Sequence, residues 1–331
     1  MTTHLFDNHG RPISYVRLAV TDRCNLRCFY CMPAEGIAYL PKQELLTYEE
    51  LERLVSILAG LGISKVRLTG GEPFVRTDLM KLIRSIVKIK GIEQLHLTTN
   101  GILTAQHIPE LKSLGISSVN LSLDTLDRRR FHEITRRDEF ERTYLTMGML
   151  FASGIPVKIN AVVMEGKNIE DIIPLISLTQ DQDVSVRFIE EMPFNGEGSH
   201  YPKLVWTHHR ILEYIRKAFP DLQKIDDEPY ATSQSYRVPG YRGTVGIIAA
   251  FSRTFCGTCN RIRVTAQGTL KTCLYDDGVL NLKALMRNGS SDDQIAEALK
   301  VAFSHRPKDG FEAESKRSHQ HVSESMSTIG G

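Results

Sequence analysis

The chain has 331 residues and a formal net charge of +2, with 41% hydrophobic and 24% charged residues. That composition is typical of a globular protein and excludes a mostly disordered chain, a collagen-like repeat and a small disulfide scaffold. The near-neutral charge argues against a dedicated nucleic-acid or membrane-surface binder, so we expect neither partner. No apolar run approaches a membrane span, and the polar start lacks the apolar core of a secretory signal. We therefore expect a cytoplasmic protein.

Short β-rich runs alternate with stretches of helical periodicity through the first two thirds of the chain. The predicted strands are Ser14–Thr21, Lys65–Thr69, Gln94–Thr99, Ser118–Leu123, Val157–Val163 and Ser185–Ile189. The predicted helices are Tyr48–Leu58, Leu79–Ile89, Ile108–Leu114 and Phe140–Phe151, and they are followed by Gly62, Gly91, Gly115 and Gly154 as helix ends. This alternation favours a parallel sheet with crossover helices.

Polar and glycine residues gather at the carboxyl ends of nearly all these strands. They are Thr21-Asp22, Thr69-Gly70-Gly71-Glu72, Thr98-Thr99-Asn100-Gly101, Ser122-Leu123-Asp124 and Glu190-Glu191. Six units fit either an open barrel or a doubly wound sheet. Barrel enzymes build their active sites on this rim, whereas a doubly wound sheet concentrates its chemistry at one crevice. We therefore predict an α/β fold with a partial, open TIM-like (βα)6 barrel.

The pattern changes after about Ile225. Residues 236–264 predict short strands with Gly/Pro turns, and Leu280–Met286 and Asp292–Val301 predict helices. We therefore predict a barrel domain over residues 1–225, closed by a smaller C-terminal α+β domain over residues 226–331. From about residue 304 the chain is polar, which predicts a mobile tail.

The six cysteines form two triplets. The first cysteine set, Cys24, Cys28 and Cys31, has C-x3-C-x2-C spacing directly after the first strand. In a reducing compartment, clustered thiols are more often metal ligands than disulfides. Three thiolates can hold three corners of a four-iron cluster and leave one iron open. The alternative is a zinc knuckle completed by a His or a distant Cys, and no His lies near this set.

The second cysteine set, Cys256, Cys259 and Cys273, also lacks a fourth cysteine. It allows either a cluster or structural zinc with a His ligand. Arg261 and Arg263 lie between its members, and residues two apart on a strand point to one face. An arginine pair suits phosphate oxygens because its planar fork donates two parallel bonds, although an exposed strand face is the alternative.

The first cysteine set, with Tyr30 before its last cysteine, and the Thr69-Gly-Gly-Glu-Pro73 motif resemble the signatures of radical S-adenosylmethionine (SAM) enzymes. From Arg17 to Cys273, and in its last two residues, the chain further resembles the GTP 3′,8-cyclases of molybdenum cofactor biosynthesis. The motifs are Arg67-Leu-Thr-Gly-Gly-Glu-Pro, Thr98-Thr-Asn-Gly, Ser122-Leu-Asp-Thr, Lys158-Ile-Asn-Ala-Val-Val, Arg187-Phe-Ile-Glu-Glu-Met192-Pro and Cys259-Asn-Arg-Ile-Arg. Phe74 stands where the family commonly has Leu.

This resemblance implies a radical SAM lyase that converts GTP to (8S)-3′,8-cyclo-7,8-dihydroguanosine 5′-triphosphate. A 5′-deoxyadenosyl radical would remove the ribose 3′-hydrogen, and C3′ would attack C8 of guanine, without a side-chain acid or base. The cofactors implied are SAM and two [4Fe-4S] clusters, one on each cysteine set. SAM would contact Tyr30, Gly71, Ser122 and Met192. GTP would contact Arg17, Arg67, Thr98, Lys158, Arg261 and Arg263.

The resemblance also implies that Gly330 and Gly331 act inside the active site. The partners implied are a second copy of the chain in a homodimer and a reductant such as flavodoxin or ferredoxin. The product would pass to the cyclic pyranopterin monophosphate synthase.

Two other functions compete with this interpretation. Radical SAM enzymes that act on peptides often carry many more C-terminal cysteines, and the arginine pair here favours a nucleotide. A zinc protein without enzymatic activity would not explain glycine and basic residues on successive strand ends. We interpret Arg128-Arg129-Arg130 and His208-His209 as solvated surface, and we do not expect Glu72 or Glu190 to act as acid or base.

Overall fold

The computed structural model describes residues 5–196, 204–318 and 324–331. In these residues the strands are β1 (Tyr15–Ala19), β2 (Lys65–Thr69), β3 (Gln94–Thr99), β4 (Ser118–Ser122), β5 (Val157–Val163), β6 (Val184–Glu190), β7 (Gln223–Lys224), β8 (Ser233–Arg237), β9 (Thr244–Ile248), β10 (Arg261–Val264), β11 (Thr269–Lys271) and β12 (Leu280–Asn281). The helices are α1 (Tyr48–Gly60), α2 (Leu79–Ile86), α3 (Ile108–Ser113), α4 (Arg128–Thr135), α5 (Phe140–Ser153), α6 (Ile172–Asp181), α7 (His208–Ala218), α8 (Leu282–Arg287), α9 (Asp292–Phe303), α10 (Gly310–Ser315) and α11 (Met326–Ile329).

Local sequence signals explain where the elements begin and end. Strands β2, β3 and β5 have the predicted bounds, and α1, α2, α3 and α5 begin at the predicted residues. Thr47 and Glu50 form a reciprocal capping box at the start of α1, which satisfies two amides that the helix leaves without partners. Gly154 ends α5 in the left-handed conformation, with φ 75°, as its position after the periodic stretch predicted.

The chain forms two compact units, and each is built from separate segments. The first unit consists of Met1–Asn25, Ile37–Leu97 and Cys256–Gly331. Its strand order is β12-β11-β10-β1-β2, followed by β3, which begins in this unit. Strand β1 pairs in parallel with both β10 and β2, while β10, β11 and β12 pair antiparallel. Helix α1 packs against α2 and α9 and buries its apolar face.

The second unit consists of Leu26–Gly36 and Thr98–Phe255. Its strand order is β4-β5-β6-β9-β8-β7, in which the first four strands are parallel and β8 is antiparallel to its neighbours. Burial alternates along β5 and β6, so one face of these strands is apolar and the other is half-buried. The half-buried face is available to polar side chains.

These units do not follow the division predicted at residue 225. The reason is that β10, late in the chain, pairs with β1 and places residues from Cys256 onward in the first unit. Within the predicted mobile tail, the described residues include α10 and α11. Arg306, Ala313 and Ile329 are buried there, so ion pairing and two apolar side chains hold a polar segment. Residues 319–323 of the predicted tail lie outside the described residues.

The longest helix in the described part of the chain, α5, has 14 residues. A transmembrane helix needs about 20 apolar residues, so no described helix is able to cross a bilayer.

Candidate functional site

Four arginines form two rows across the parallel strands of the first unit. The register pairs Arg17 of β1 with Arg263 of β10 on one side and with Arg67 of β2 on the other. In the next row, Tyr15 pairs with Arg261 and with Lys65. Paired residues on parallel strands share a face, and residues two apart share it too. We call the surface of Arg17, Arg67, Arg261 and Arg263 the arginine face.

Tyr15 is a buried phenol among these cations. Its hydroxyl accepts a hydrogen bond of 2.5 Å from Nε of Arg67, and the ammonium of Lys65 lies 5.2 Å from its ring centroid. Burial disfavours the phenolate, but Arg67 and Arg17 outweigh burial and lower the pKa of Tyr15 to about 7. The phenol therefore orients Arg67 and can supply a negative charge near neutral pH.

The arginine face has more positive charge than its own side chains neutralise. Burial and the neighbouring Arg17 and Arg261 lower the pKa of Arg263 to about 9. Burial also lowers the pKa of Arg17, whose Nε is buried and has no hydrogen-bond partner among the described residues. A buried donor without an acceptor costs free energy, and repelling cations add to that cost. A polyanion with several oxygens would relieve both.

The second cysteine set lies beside the arginine face in the same unit. The thiol of Cys259 accepts from Nη2 of Arg261 at 3.4 Å and from Nη2 of Arg306 at 3.7 Å. Burial disfavours the thiolate, yet these two arginines lower the pKa of Cys259 to about 6. A thiolate is the form that binds metal, so this position is prepared as a ligand.

The other two thiols of this set are held by their main chains. Cys259 N donates to Cys256 O at 3.2 Å, which closes the turn between them. Cys273 N donates to the carboxylate of Asp276 at 2.8 Å. Burial, followed by the nearby anionic groups, raises the pKa of Cys273 to about 12. All six cysteines are free thiols. Across residues 5–196, 204–318 and 324–331, no three His, Cys, Asp or Glu side chains group as ligands of one metal ion.

The terminal glycines reach the arginine face. Gly330 O accepts from Nη1 of Arg263, and Gly331 O accepts from the Thr69 hydroxyl at 2.6 Å. Gly330 has φ 80°, and a Cβ at this residue would lie 2.7 Å from Cγ2 of Thr69. Both the backbone conformation and the space therefore require glycine. The structure thus brings Gly330 and Gly331 to Arg263 and the end of β2.

The predicted SAM residues are divided between the two units. In the first unit, Gly71 N donates to Thr21 O at 2.9 Å, and a Cβ on Gly71 would lie 2.3 Å from Arg23 O. Only glycine lets this loop lie against the main chain that leads to Cys24. In the second unit, the Tyr30 hydroxyl donates to Oδ2 of Asp124 at 2.8 Å.

The remaining predicted site residues, except Cys24, lie in the second unit. Ser122 pairs with Asn160 and Lys158 pairs with Asn120 across β4 and β5, so Ser122 and Lys158 share one face. Met192 is half-buried just after β6. Thr98, in β3, and two members of the first cysteine set, Cys28 and Cys31, also belong to this unit, whereas Cys24 belongs to the first.

The two glutamates not expected to act as acid or base are fully buried, and both accept hydrogen bonds from backbone amides. Glu72 accepts from Phe74 N at 3.1 Å. Glu190 accepts from the amides of His208, Phe251 and Ser252.

Two groups of side chains were wrongly interpreted as solvated throughout. Nδ1 of His208 lies 2.9 Å from Oε1 of Glu190, and the histidine is only 12% exposed. Nε of Arg130 lies 2.7 Å from Oδ2 of the buried Asp171. One residue of each run, Arg130 and His208, therefore contacts a buried carboxylate, because a buried charge requires a partner.

Sequence reasoning missed Tyr15, Asp124 and Arg306. The signal for Tyr15 was its spacing of two from Arg17 on one strand, which predicts a shared face. Asp124 was visible within the Ser122-Leu-Asp-Thr motif. Arg306 had no local signal, since its contacts are made by residues distant in sequence.

Comparison with known proteins first gives the class. Residues 18–179 match the radical SAM superfamily, and residues 184–312 match Molybdenum Cofactor Synthesis C. The structure resembles Streptococcus suis SuiB with a TM-score of 0.61 and 16% identity, over 90% of this chain and 68% of that chain. That likeness shows the fold, the open, partial α/β barrel of radical SAM proteins. Membership of the superfamily implies a four-iron cluster and SAM.

Sequence identity then gives the particular family. The chain is 40% identical over 289 residues to GTP 3′,8-cyclase of Peptoclostridium acidaminophilum, which covers 86% of this chain and 87% of that protein. It is also 40% identical over 299 residues to Molybdenum cofactor biosynthesis protein 1 of Bos taurus, which covers 90% of this chain. The chain spans about half the length of that second relative, 47%. The chain belongs to the GTP 3′,8-cyclase family.

The arginine face yields a prediction about Tyr15. Because its pKa is about 7, ultraviolet difference spectra should show one tyrosine ionising as the pH rises through neutrality. Tyr15→Phe should remove that step. Tyr48→Phe is the control, since burial raises the pKa of Tyr48 to about 12 and its loss should leave the neutral step intact. A neutral step that persists in Tyr15→Phe would contradict the assignment.

Proposed function

We propose that the protein is a GTP 3′,8-cyclase that converts GTP to (8S)-3′,8-cyclo-7,8-dihydroguanosine 5′-triphosphate, the first step of molybdenum cofactor biosynthesis. The observation that carries this proposal is the arginine face beside the second cysteine set. It supplies several guanidinium groups for a polyanion and a place for a second metal cofactor within one unit. The family membership of the chain supplies the reaction.

Four arginines suit a triphosphate for electrostatic reasons. Arg17, Arg67 and Arg263 lie on neighbouring strands about 4.8 Å apart, a spacing that lets successive guanidiniums reach successive phosphate groups. Each charge-assisted hydrogen bond contributes about 1.5–3 kcal/mol, and binding also removes the repulsion among the cations. Thr98 and Lys158 would complete the contacts with GTP.

The first cysteine set, Cys24, Cys28 and Cys31, would hold the cluster that binds SAM, with Tyr30, Gly71, Ser122 and Met192 at the SAM site. When bound, the cluster and SAM would supply the radical chemistry that the proposed cyclisation of GTP requires. The chain's own residues fix the substrate and exclude water and stray hydrogen donors. No side chain needs to act as a general acid or base in that assignment.

The second cysteine set would hold a second [4Fe-4S] cluster with one iron open to the purine of GTP. Support comes from the chemistry of the donors. Cys259 is stabilised as a thiolate by two arginines, and Cys256 and Cys259 are joined by a tight turn. Arg261 contacts the sulfur of Cys259 and belongs to the arginine face, so the cluster and the phosphates would lie on either side of one guanidinium.

We further propose that the protein acts in the cytoplasm as a homodimer, takes electrons from flavodoxin or ferredoxin, and passes its product to the cyclic pyranopterin monophosphate synthase. The electron donor and the consuming enzyme follow from the proposed reaction, and the homodimer follows from the resemblance to the family. A reductive cleavage of SAM requires an electron donor, and the cyclised nucleotide is an intermediate that a further enzyme must consume.

The direct test is anaerobic purification followed by assay with GTP, SAM and a reductant. We expect about eight irons, from two four-iron clusters, and formation of the cyclised nucleotide. Cys28→Ala should remove the first cluster and abolish 5′-deoxyadenosine, while iron at the second cysteine set remains. A Cys28→Ala protein that still forms 5′-deoxyadenosine would show that the first cluster is assigned wrongly.

Arg261→Ala should weaken GTP binding about tenfold or more, because it removes a charge-assisted contact of about 1.5–3 kcal/mol. Guanosine, which lacks phosphates, should bind wild type and variant almost equally in calorimetry. Arg53→Ala is the matched control, since Arg53 forms an exposed ion pair with Asp292. Equal losses for GTP and guanosine would instead indicate a purine contact or misfolding.

Deletion of Gly330 and Gly331 should reduce turnover more than folding. The two carbonyls accept bonds from Arg263 and Thr69, so their loss would free the guanidinium to adopt other positions. Iron content and thermal stability should stay close to wild type while the rate of product formation falls. Unchanged turnover in a variant with full iron content would refute this role. Loss of the clusters would show instead that the terminal glycines act in folding or cluster assembly.

A further inference from the structure

Arg306 uses its whole guanidinium inside the first unit. Its side chain is only 2% exposed. Nε donates to Thr272 O at 3.2 Å, and Nη1 donates to Cys259 O at 3.2 Å. Nη2 donates to Arg261 O at 3.0 Å and to the sulfur of Cys259 at 3.7 Å. One buried side chain therefore joins the segment before Cys273 to the segment that carries Cys259.

Two residues near the start of the chain, Asp7 and Arg11, also hold this guanidinium in place. Nη1 of Arg306 also lies 3.1 Å from Oδ2 of Asp7, a carboxylate with no exposed surface. Nε of Arg11 donates to the same Oδ2 at 2.7 Å, and Nη1 of Arg11 donates to Cys256 O at 3.0 Å. With these contacts all five N–H donors of Arg306 have an acceptor.

We propose that Arg306 is a positioning residue of the second cysteine set, which fixes Cys259 relative to Cys273 and raises the reduction potential of the cluster bound there. This inference rests on the second cluster proposed above. The Asp7–Arg11 pair is the anchor that keeps Arg306 aimed at the sulfur.

The physical reason lies in the charges. Arg306 and Arg11 share one carboxylate, so the group retains a net positive charge next to Cys259. A cluster becomes more negative when it accepts an electron, and an N–H donor and a positive charge at a ligand sulfur stabilise that state. A lysine would keep the charge, but its compact ammonium has no planar fork to join both segments.

The test uses the full chain with Cys24, Cys28 and Cys31 changed to Ala, so that only the second cysteine set carries iron. In that background, four proteins are reconstituted anaerobically: Arg306 intact, Arg306→Gln, Arg306→Lys and Arg11→Gln. Iron and sulfide are counted before and after a chelator challenge. The midpoint potential is measured by a titration followed by electron paramagnetic resonance.

With Arg306 intact we expect about four irons, the content of one cluster. Arg306→Gln should lose iron faster and show a lower midpoint potential. Arg306→Lys should lose iron faster with a smaller shift in potential. Arg11→Gln should lower the potential less than Arg306→Gln, because it removes one positive charge beside Asp7 but no N–H donor to the sulfur of Cys259.

Equal potential and equal iron retention in Arg306→Gln and the Arg306-intact protein would overturn the inference. So would a shift in Arg11→Gln as large as that in Arg306→Gln, since general loosening would then explain both. If Arg306→Gln fails to fold, the test rests on iron retention in Arg306→Lys. Faster iron loss supports the inference, and iron loss equal to that of the Arg306-intact protein overturns it. A background protein that takes up zinc, or no iron, would refute the second cluster itself, and that outcome is separate because it appears with Arg306 intact.

Discussion

Repulsion among like charges on three neighbouring strands is the constraint on which the first unit depends. Arg263, Arg17 and Arg67 lie in one row, and the register of parallel strands prevents them from moving apart. Three kinds of acceptor partly offset this repulsion. They are the Tyr15 phenol, the carbonyl of Gly330 and the thiol of Cys259. The phenol and the thiol can each supply one negative charge against four guanidiniums, so the positive charge is reduced but not cancelled. Positive charge left in this way favours a bound polyanion.

How much of this followed from sequence depends on the range of each signal. Local periodicity and capping gave β2, β3, β5 and the starts of α1 and α5, because those signals lie within a few residues. The spacing of Arg261 and Arg263 gave their shared face for the same reason. The polar runs that open α4 and α7, beginning at Arg128 and His208, indicate either helix or loop and favour a solvated surface. Tertiary partners, Asp171 and Glu190, decide how those runs are buried.

Longer-range features escaped prediction for a different reason. The pairing of β10 with β1 joins residues 246 positions apart, and no local pattern encodes such a register. The described part of the tail beyond residue 304 is polar, which predicts mobility when composition alone is considered. The structure nonetheless gives this segment polar partners, through Arg306 and ion pairs such as Lys271 with Glu324, at 2.6 Å. Composition does not reveal whether polar groups have partners, and buried pairs depend on geometry.

Arg261 connects the two roles proposed for the first unit, phosphate binding on the arginine face and cluster binding at the second cysteine set. Arg261 donates to the sulfur of Cys259 and belongs to the arginine face, so one side chain serves both the cysteine set and the phosphate site. A guanidinium has five donors in a rigid plane and can contact a sulfur and an oxygen anion together. If the Arg261 guanidinium moves toward a bound phosphate, it stabilises the thiolate of Cys259 less. Binding of a polyanion would therefore change the electrostatic environment of Cys259, whereas Arg306, fixed by Asp7, would hold its donor in place.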